Sequence, residues 1–177
     1  MIFKEAGIKG AFIIEPERIE DARGFFARAW CKREFAEHGL NPFLVQCNLS
    51  FNKSRGTLRG MHYQGAPHQE TKLVRCTRGA IYDVIIDLRP ESRTCLKWLG
   101  VELTQENRKI LYVPEGFAHG YQTLTDNTEV FYQVSQFYSS ESEGGVRWND
   151  SAFGIKWPET DILVISEKDK NWPGYLP

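Results

Sequence analysis

Gly79-Ala80-Ile81-Tyr82-Asp83-Val84-Ile85-Ile86-Asp87-Leu88-Arg89-Pro90 decides the fold class. A turn glycine and a proline bound a run dominated by β-branched, aromatic and aliphatic residues, which fit a pleated strand. Similar runs precede it: Ala11-Phe12-Ile13-Ile14, Phe43-Leu44-Val45-Gln46 and Thr71-Lys72-Leu73-Val74-Arg75. Others follow at 96–103, 109–113, 120–124 and 128–137. Arg78-Gly79, Pro114-Glu115-Gly116 and Thr125-Asp126-Asn127 supply turn chemistry between them. In the middle of the chain the runs recur roughly every ten residues, the pattern of an antiparallel sandwich or barrel. One helix is expected at 32–38, stopped by Gly39, with Pro42 preventing its resumption. From Trp148 onward the chain reads as a loop-rich wrap with one short strand near 162–165. The expectation is an all-β chain with a few short helices.

The 177 residues suit one domain and are too few for two ordinary catalytic domains. Lys plus Arg total 22 against 23 for Asp plus Glu, a net charge of -1. That balance excludes a protein that holds nucleic acid or anionic membrane through bulk charge, while leaving room for a local basic pocket. Cys31, Cys47, Cys76 and Cys95 contain no CxxC pair and match no common zinc spacing. Two disulfides are formally possible. A domain of this size does not need them, and no leader-like start or membrane-length apolar run is present. A reduced, cytoplasmic protein is expected.

The chain has 4 histidines, so each is informative. His38 at a helix end and His68 in Gly65-Ala66-Pro67-His68 read as exposed surface residues. His62 lies in Thr57-Leu58-Arg59-Gly60-Met61-His62-Tyr63-Gln64, where strict alternation puts Leu58, Gly60, His62 and Gln64 on one face. His119 ends Pro114-Glu115-Gly116-Phe117-Ala118-His119, at the entry to a strand. Small residues near both leave room for a ligand to approach the backbone. Spacing alone leaves each balanced between a hydrogen-bonded core histidine and a functional one.

The Pro-x-Gly-x-x-His run resembles the second conserved stretch of cupins, which are jelly-roll β-barrels. Where many cupins carry a metal-binding His-x-His pair, this chain has His62-Tyr63-Gln64, so no metal site is expected. The resemblance then narrows. Asp21-Ala22-Arg23-Gly24-Phe25-Phe26, Arg59-Gly60-Met61-His62-Tyr63-Gln64, Lys72-Leu73-Val74-Arg75 and Asp83-Val84-Ile85-Ile86-Asp87-Leu88-Arg89 come in order. Pro114-Glu115-Gly116-Phe117-Ala118-His119-Gly120, Trp148-Asn149-Asp150, Ile155-Lys156-Trp157-Pro158 and Ser166-Glu167-Lys168-Asp169 continue it. Together these identify the chain as resembling the dTDP-4-dehydrorhamnose 3,5-epimerase family of nucleotide-sugar epimerases, within the cupin superfamily.

The resemblance implies a cupin jelly roll over residues 1–177, with the N-terminal segment exchanged between the subunits of a homodimer. It implies inversion of C3 and C5 of a nucleotide-linked 4-keto-6-deoxyhexose through an enolate. No net redox change occurs, so no cofactor is expected, and the chain has no GxGxxG run. Residue by residue, it makes His62 the base, Asp169 its orienting carboxylate, Lys72 the donor at the enolate oxygen, and Tyr132 the acid on the far face. Taken alone, Lys72 reads more readily as a solvated strand lysine, Tyr132 as a core tyrosine and Asp169 as an exposed turn acid. Arg59 and His119 are implied near the diphosphate and sugar, with Asp83 orienting His119. Gln46, Asn48, Tyr138 and Glu143 match pocket positions, and Arg23 with Phe26 matches the segment that holds the nucleotide.

At position 28 the family typically has a glutamate that helps hold thymine; here it is Arg28. A guanidinium donates to acceptors that cytosine or guanine presents but cannot accept from thymine N3–H, so CDP- and GDP-linked sugars stand beside dTDP-linked ones. Relatives that act at C3 or C5 alone share the same His and Tyr. Other readings are a sugar-nucleotide 3,4-ketoisomerase, which lacks the C-terminal stretches, a non-catalytic sugar-nucleotide-binding cupin, and a metal-dependent cupin dioxygenase.

Overall fold

In the computed structural model, which describes residues 1–159, 161 and 164–175, strands dominate, as their composition predicts. Along the chain come β1 (Ile2–Glu5), β2 (Phe12–Glu15), β3 (Arg18–Asp21), β4 (Gly24–Ala27), α1 (Lys32–Glu37), β5 (Gln46–Asn52), β6 (Thr57–Gln64), β7 (Lys72–Arg78) and β8 (Ala80–Asp87). Then follow β9 (Trp98–Thr104), β10 (Ile110–Val113), β11 (Phe117–Thr123), β12 (Thr128–Val134), β13 (Glu143–Gly145), β14 (Val164–Ile165) and α2 (Glu167–Lys170). One sheet has the order β1-β2-β10-β7-β12-β5, the other β13-β6-β11-β8-β9, with β14 added in parallel to β6. β3 and β4 pair only with each other. This is the all-β, two-sheet arrangement expected. No helix among the described residues is long and apolar enough to cross a membrane.

The alternation in β8 shows how the layers form. Ile81 and Ile85 point between the sheets, where they meet Val74, Cys76, Leu111, Phe117 and Val130. Val84 and Ile86 point the other way, into a cluster with Leu58, Met61, Phe153 and Trp157. Each fully buried side chain of this size contributes on the order of 2 kcal/mol. This outer cluster therefore clamps the C-terminal wrap onto the second sheet, fixing the approach of α2. On the far face of the first sheet, Phe35 of α1 covers Ile14, Leu73 and Ile110. α1 ends where expected, with Gly39 at φ 69°.

Several boundaries depart from the sequence reading. Phe43 to Val45 lies outside any strand, and the strand runs from Gln46 to Asn52. Its inward residues are polar because Gln46, Asn48 and Ser50 face a cavity and buried Asn52 bonds Arg59 and Tyr121, so the apolar signal sits too early. β11 begins at Phe117, which puts His119 within the strand rather than at its entry. The short strand near 162–165 appears as Val164–Ile165; Ile162 and Leu163 lie outside the described residues. His68 is half-buried rather than exposed, with Nδ1 2.9 Å from Ser142 Oγ.

The correction that matters most concerns β6. Its pairing with β11 matches His119 to His62 and Tyr121 to Arg59, with a register shift between them. Gly60 and Met61 together oppose Gly120, the two-against-one count of a β-bulge. Strict alternation fails there. Leu58 and Met61 share the outer cluster under the wrap, while Arg59 and His62 share the inner face.

Candidate active site

The bulge brings His62 to the space between the sheets, and the C-terminal wrap brings Asp169 to His62. Ser166 caps α2 by accepting from the Asp169 N–H at 3.1 Å, which fixes where the carboxylate points. His62 Nε2 and Asp169 Oδ1 lie 2.7 Å apart, and Asp169 Oδ2 accepts from the Gly60 N–H at 3.3 Å. Burial pushes the Asp169 carboxyl up, but the hydrogen bond and charge of His62 and the Gly60 N–H outweigh it and leave it below the usual range. A second pair stands on β11, where His119 Nε2 lies 2.7 Å from Oδ1 of fully buried Asp83. Burial pushes that carboxyl up against the pull of His119.

Around His62 are two spaces. A cavity of about 260 Å³ is bounded by Gln46 and Asn48 of β5, Glu70, Lys72 of β7, Tyr132 of β12, and Tyr138 and Glu143 at its rim. A second, of about 180 Å³, is bounded by Arg59, His119, Tyr121 and Ser50. His62, Lys72 and Tyr132 belong to both. Lys72, far from solvated, is ion-paired with Glu70, their side chains 12% and 9% exposed. Arg59 donates through Nε to Asn52 Oδ1 at 2.8 Å. Burial, then the charge of Glu70, raises the Tyr132 phenol above its ordinary value, with Arg59 pulling the other way. A nitrogen base, an ammonium and a phenol held around one cavity can move a proton beside a carbonyl. The donor set does not fit a metal: both inner histidines spend Nε2 on a carboxylate, and among the described residues no three His, Cys, Asp or Glu side chains converge as ligands.

Residues 5–176 match the family model described as dTDP-4-dehydrorhamnose 3,5-epimerase. The chain belongs to this family. It is 43% identical over 98% of its length to the dTDP-4-dehydrorhamnose 3,5-epimerase of Sinorhizobium fredii, of which it covers 89%. It superposes on the crystal structure of the Elizabethkingia anophelis enzyme of that name with a TM-score of 0.96 and 42% identity, covering 99% of this chain and 96% of that one. The Bacillus anthracis enzyme, solved with TDP and PPi bound, gives a TM-score of 0.93 at 40% identity over 98% of this chain and 100% of that chain. The fold is thus the epimerases' cupin jelly roll, and the chain is an isomerase by reaction class. The ketoisomerase, non-catalytic and dioxygenase readings fall away.

In this epimerase the rim is tied by groups from β5, the loop after β12, β13 and α2. Tyr138 Oη donates to Glu143 Oε2 at 2.9 Å, Lys168 Nζ donates to Glu143 Oε1 at 2.5 Å, and the Tyr138 N–H donates to Gln46 Oε1 at 2.9 Å. Arg23, Phe26 and Arg28 are not with them. They lie on the β3–β4 hairpin, where Arg23 pairs with Asp21 at 2.6 Å, Phe26 is 69% exposed, and Arg28 donates to Glu34 at 3.3 Å.

Sequence reasoning missed Glu70, Gln64, Tyr121, Lys168 and Trp172. Gln64 Oε1 accepts from the Ser139 N–H at 2.7 Å and holds the loop after β12; Trp172 stands edge-on to His62 at 6.1 Å between centroids. Glu70 carried a usable signal: opposite charges two residues apart at a strand entry fall on one side of the chain. Gln64 and Tyr121 depend on partners in the loop after β12 and on β5, and Lys168 and Trp172 on folding of the C-terminal wrap.

Proposed function

We propose that the chain inverts C3 and C5 of a dTDP-linked 4-keto-6-deoxyhexose of the dTDP-4-dehydro-6-deoxyglucose type. The observation that carries this is the His62–Asp169 pair at 2.7 Å on the wall that Lys72 and Tyr132 share. With Nε2–H held by the carboxylate, His62 Nδ1 takes the proton from the carbon beside the ketone. The electron pair moves onto the carbonyl oxygen, where the Lys72 ammonium stabilises the enolate; such preorganised donors contribute several kcal/mol. Tyr132 then gives its phenol proton to the opposite face of that carbon, and water resets both groups. The sequence runs once at each carbon, with no net redox change and no cofactor.

Arg59 and His119 supply donors for the diphosphate and sugar, with Gln46, Asn48, Tyr138 and Glu143 around the sugar and base. Exposed Ile19 and Phe26 and the separate β3–β4 sheet support a homodimer in which each hairpin, with Arg23, Phe26 and Arg28, reaches its partner's nucleotide site. Arg28 donates to Glu34 of its own chain, and the relatives named for dTDP-4-dehydrorhamnose, one of them solved with TDP bound, support thymine as the nucleobase. The four free thiols suit work in the reducing cytoplasm.

The test is incubation with dTDP-4-keto-6-deoxyglucose in deuterated water, read by NMR, beside the matched CDP and GDP sugars. Deuterium at both C3 and C5 of an inverted product is expected. Label at one carbon makes the enzyme a monoepimerase, preference for CDP or GDP sugar overturns the base assignment, and no product removes the function. Tyr132→Phe should let deuterium enter recovered substrate while lowering product formation about a hundredfold.

A further inference from the structure

The Lys72–Glu70 pair is an unusual thing to find where an enolate is to be stabilised. A carboxylate beside the ammonium offsets part of its charge, and burying both ions carries a desolvation cost that their attraction must repay. Glu70 precedes β7, so the chain itself delivers it to the cavity two residues before Lys72. Both side chains are nearly buried, and both line the space that Tyr132 lines. Among the described residues Glu70 makes one ion pair, to Lys72 Nζ through Oε1. We propose that Glu70 is a positioning residue of the active site, whose carboxylate fixes the Lys72 ammonium on the cavity wall beside Tyr132.

Two consequences follow from charge and distance. Lys72 is a flexible four-carbon chain that a single partner can hold in one rotamer, so the ammonium meets the developing oxyanion without reorganising. The negative charge also opposes ionisation of the Tyr132 phenol, which must hold its proton until the enolate has formed. The titratable and charged groups around that phenol are Arg59, His62 and Tyr63 from β6, Lys72 from β7, Glu70 before it, His119 and Tyr121 from β11, Tyr138 after β12 and Glu143 from β13. Glu70 and Glu143 are the two carboxylates among them, and Glu143 is occupied at the rim by Lys168 and Tyr138.

The inference deepens the proposed mechanism and rests on its assignment of Lys72 and Tyr132. Its test is Glu70→Gln, which keeps shape and loses charge, with Glu70→Asp as the conservative partner. For turnover of dTDP-4-keto-6-deoxyglucose, Glu70→Gln should lower kcat about tenfold, leave KM within about twofold, and move the alkaline limb of kcat about one pH unit lower. Glu70→Asp should recover most of both. In parallel, the free protein labelled with 3-fluorotyrosine is titrated by fluorine NMR, with the Tyr132 signal assigned by Tyr132→Phe. Its midpoint should fall in Glu70→Gln and not in Glu70→Asp.

An unmoved Tyr132 midpoint overturns the proposal whether or not the wild type turns over the sugar. A wild type with no turnover overturns the mechanism while the titration still decides the role of Glu70. Loss of kcat in both variants with an unmoved alkaline limb would make Glu70 a structural residue and overturn it as well.

Discussion

Gly60 and Gly120 pass each other across β6 and β11 with no space for a side chain on either. A Cβ on Gly60 would stand 2.6 Å from Gly120 Cα, and one on Gly120 would stand 2.6 Å from Met61 Sδ and 2.7 Å from the Arg59 carbonyl oxygen. Gly60 also sits at φ 138°, a region that side-chain-bearing residues avoid. This contact is where the bulge turns His62 inward beside Arg59. Gly60→Ala should therefore cost about 2–4 kcal/mol in urea unfolding and abolish turnover, since backbone must move to admit the methyl. A variant with unchanged midpoint and full activity would mean that the close approach is dispensable.

Asp169→Asn keeps the size of the side chain and removes the charge that holds His62. Turnover should fall between about a hundredfold and ten-thousandfold, as when an orienting carboxylate is lost from a histidine base. Thermal unfolding should change by a few degrees at most. Activity within about threefold of wild type would show that His62 needs no carboxylate.

Acid stability has a distinct source at the end of β8. Buried Asp87 accepts from Arg89 Nε and Nη2 at 2.8 Å each, from Ser92 Oγ at 2.6 Å and from Thr94 Oγ1 at 2.7 Å. Burial pushes its carboxyl up, but these donors prevail and hold it far below the usual range. A carboxyl depressed in the folded state stabilises above its unfolded value, near 3.9, and loses that contribution as pH falls toward its folded value. Asp87→Asn should thus cost about 2–4 kcal/mol at pH 7 and progressively less below about pH 4. Denaturation series at pH 7, 4 and 2.5 measure this; a pH-independent difference contradicts it.

β5 is an edge strand whose outer face carries Leu49, 68% exposed, and Phe51, 48% exposed. Beside them Arg75 lies over the Phe131 ring at 4.7 Å from its centroid. An uncovered apolar edge of this kind favours a second copy of the chain. Leu49→Glu with Phe51→Glu should convert a dimer into a folded monomer by light scattering, and weaken dTDP binding as the partner's hairpin departs. A wild type that is already monomeric would refute the exchange.

The strand-rich fold and the helix at 32–38 were legible because their information is local: β-branched runs, turn glycines and Gly39 act within a few residues. The motif order also named His62, Lys72, Tyr132 and Asp169. What the sequence could not carry was which face each residue takes and what it meets. Alternation put His62 with Leu58, and one bulged residue at Gly60–Met61 reversed that, because a side-chain period of two cannot survive an insertion. The strand expected at 43–46 runs instead from Gln46 to Asn52, because the inner face of β5 is polar, a choice that makes sense only once a cavity lies against it. Asp169 looked like an exposed turn acid until Phe153 and Trp157 packed the wrap against β6 and β8 and carried α2 to His62. Glu70 became visible when Lys72 turned inward to meet it. The sequence by itself determined which groups were available for proton transfer; tertiary packing decided which touch, because contacts between distant segments are set by burial and register rather than by spacing along the chain.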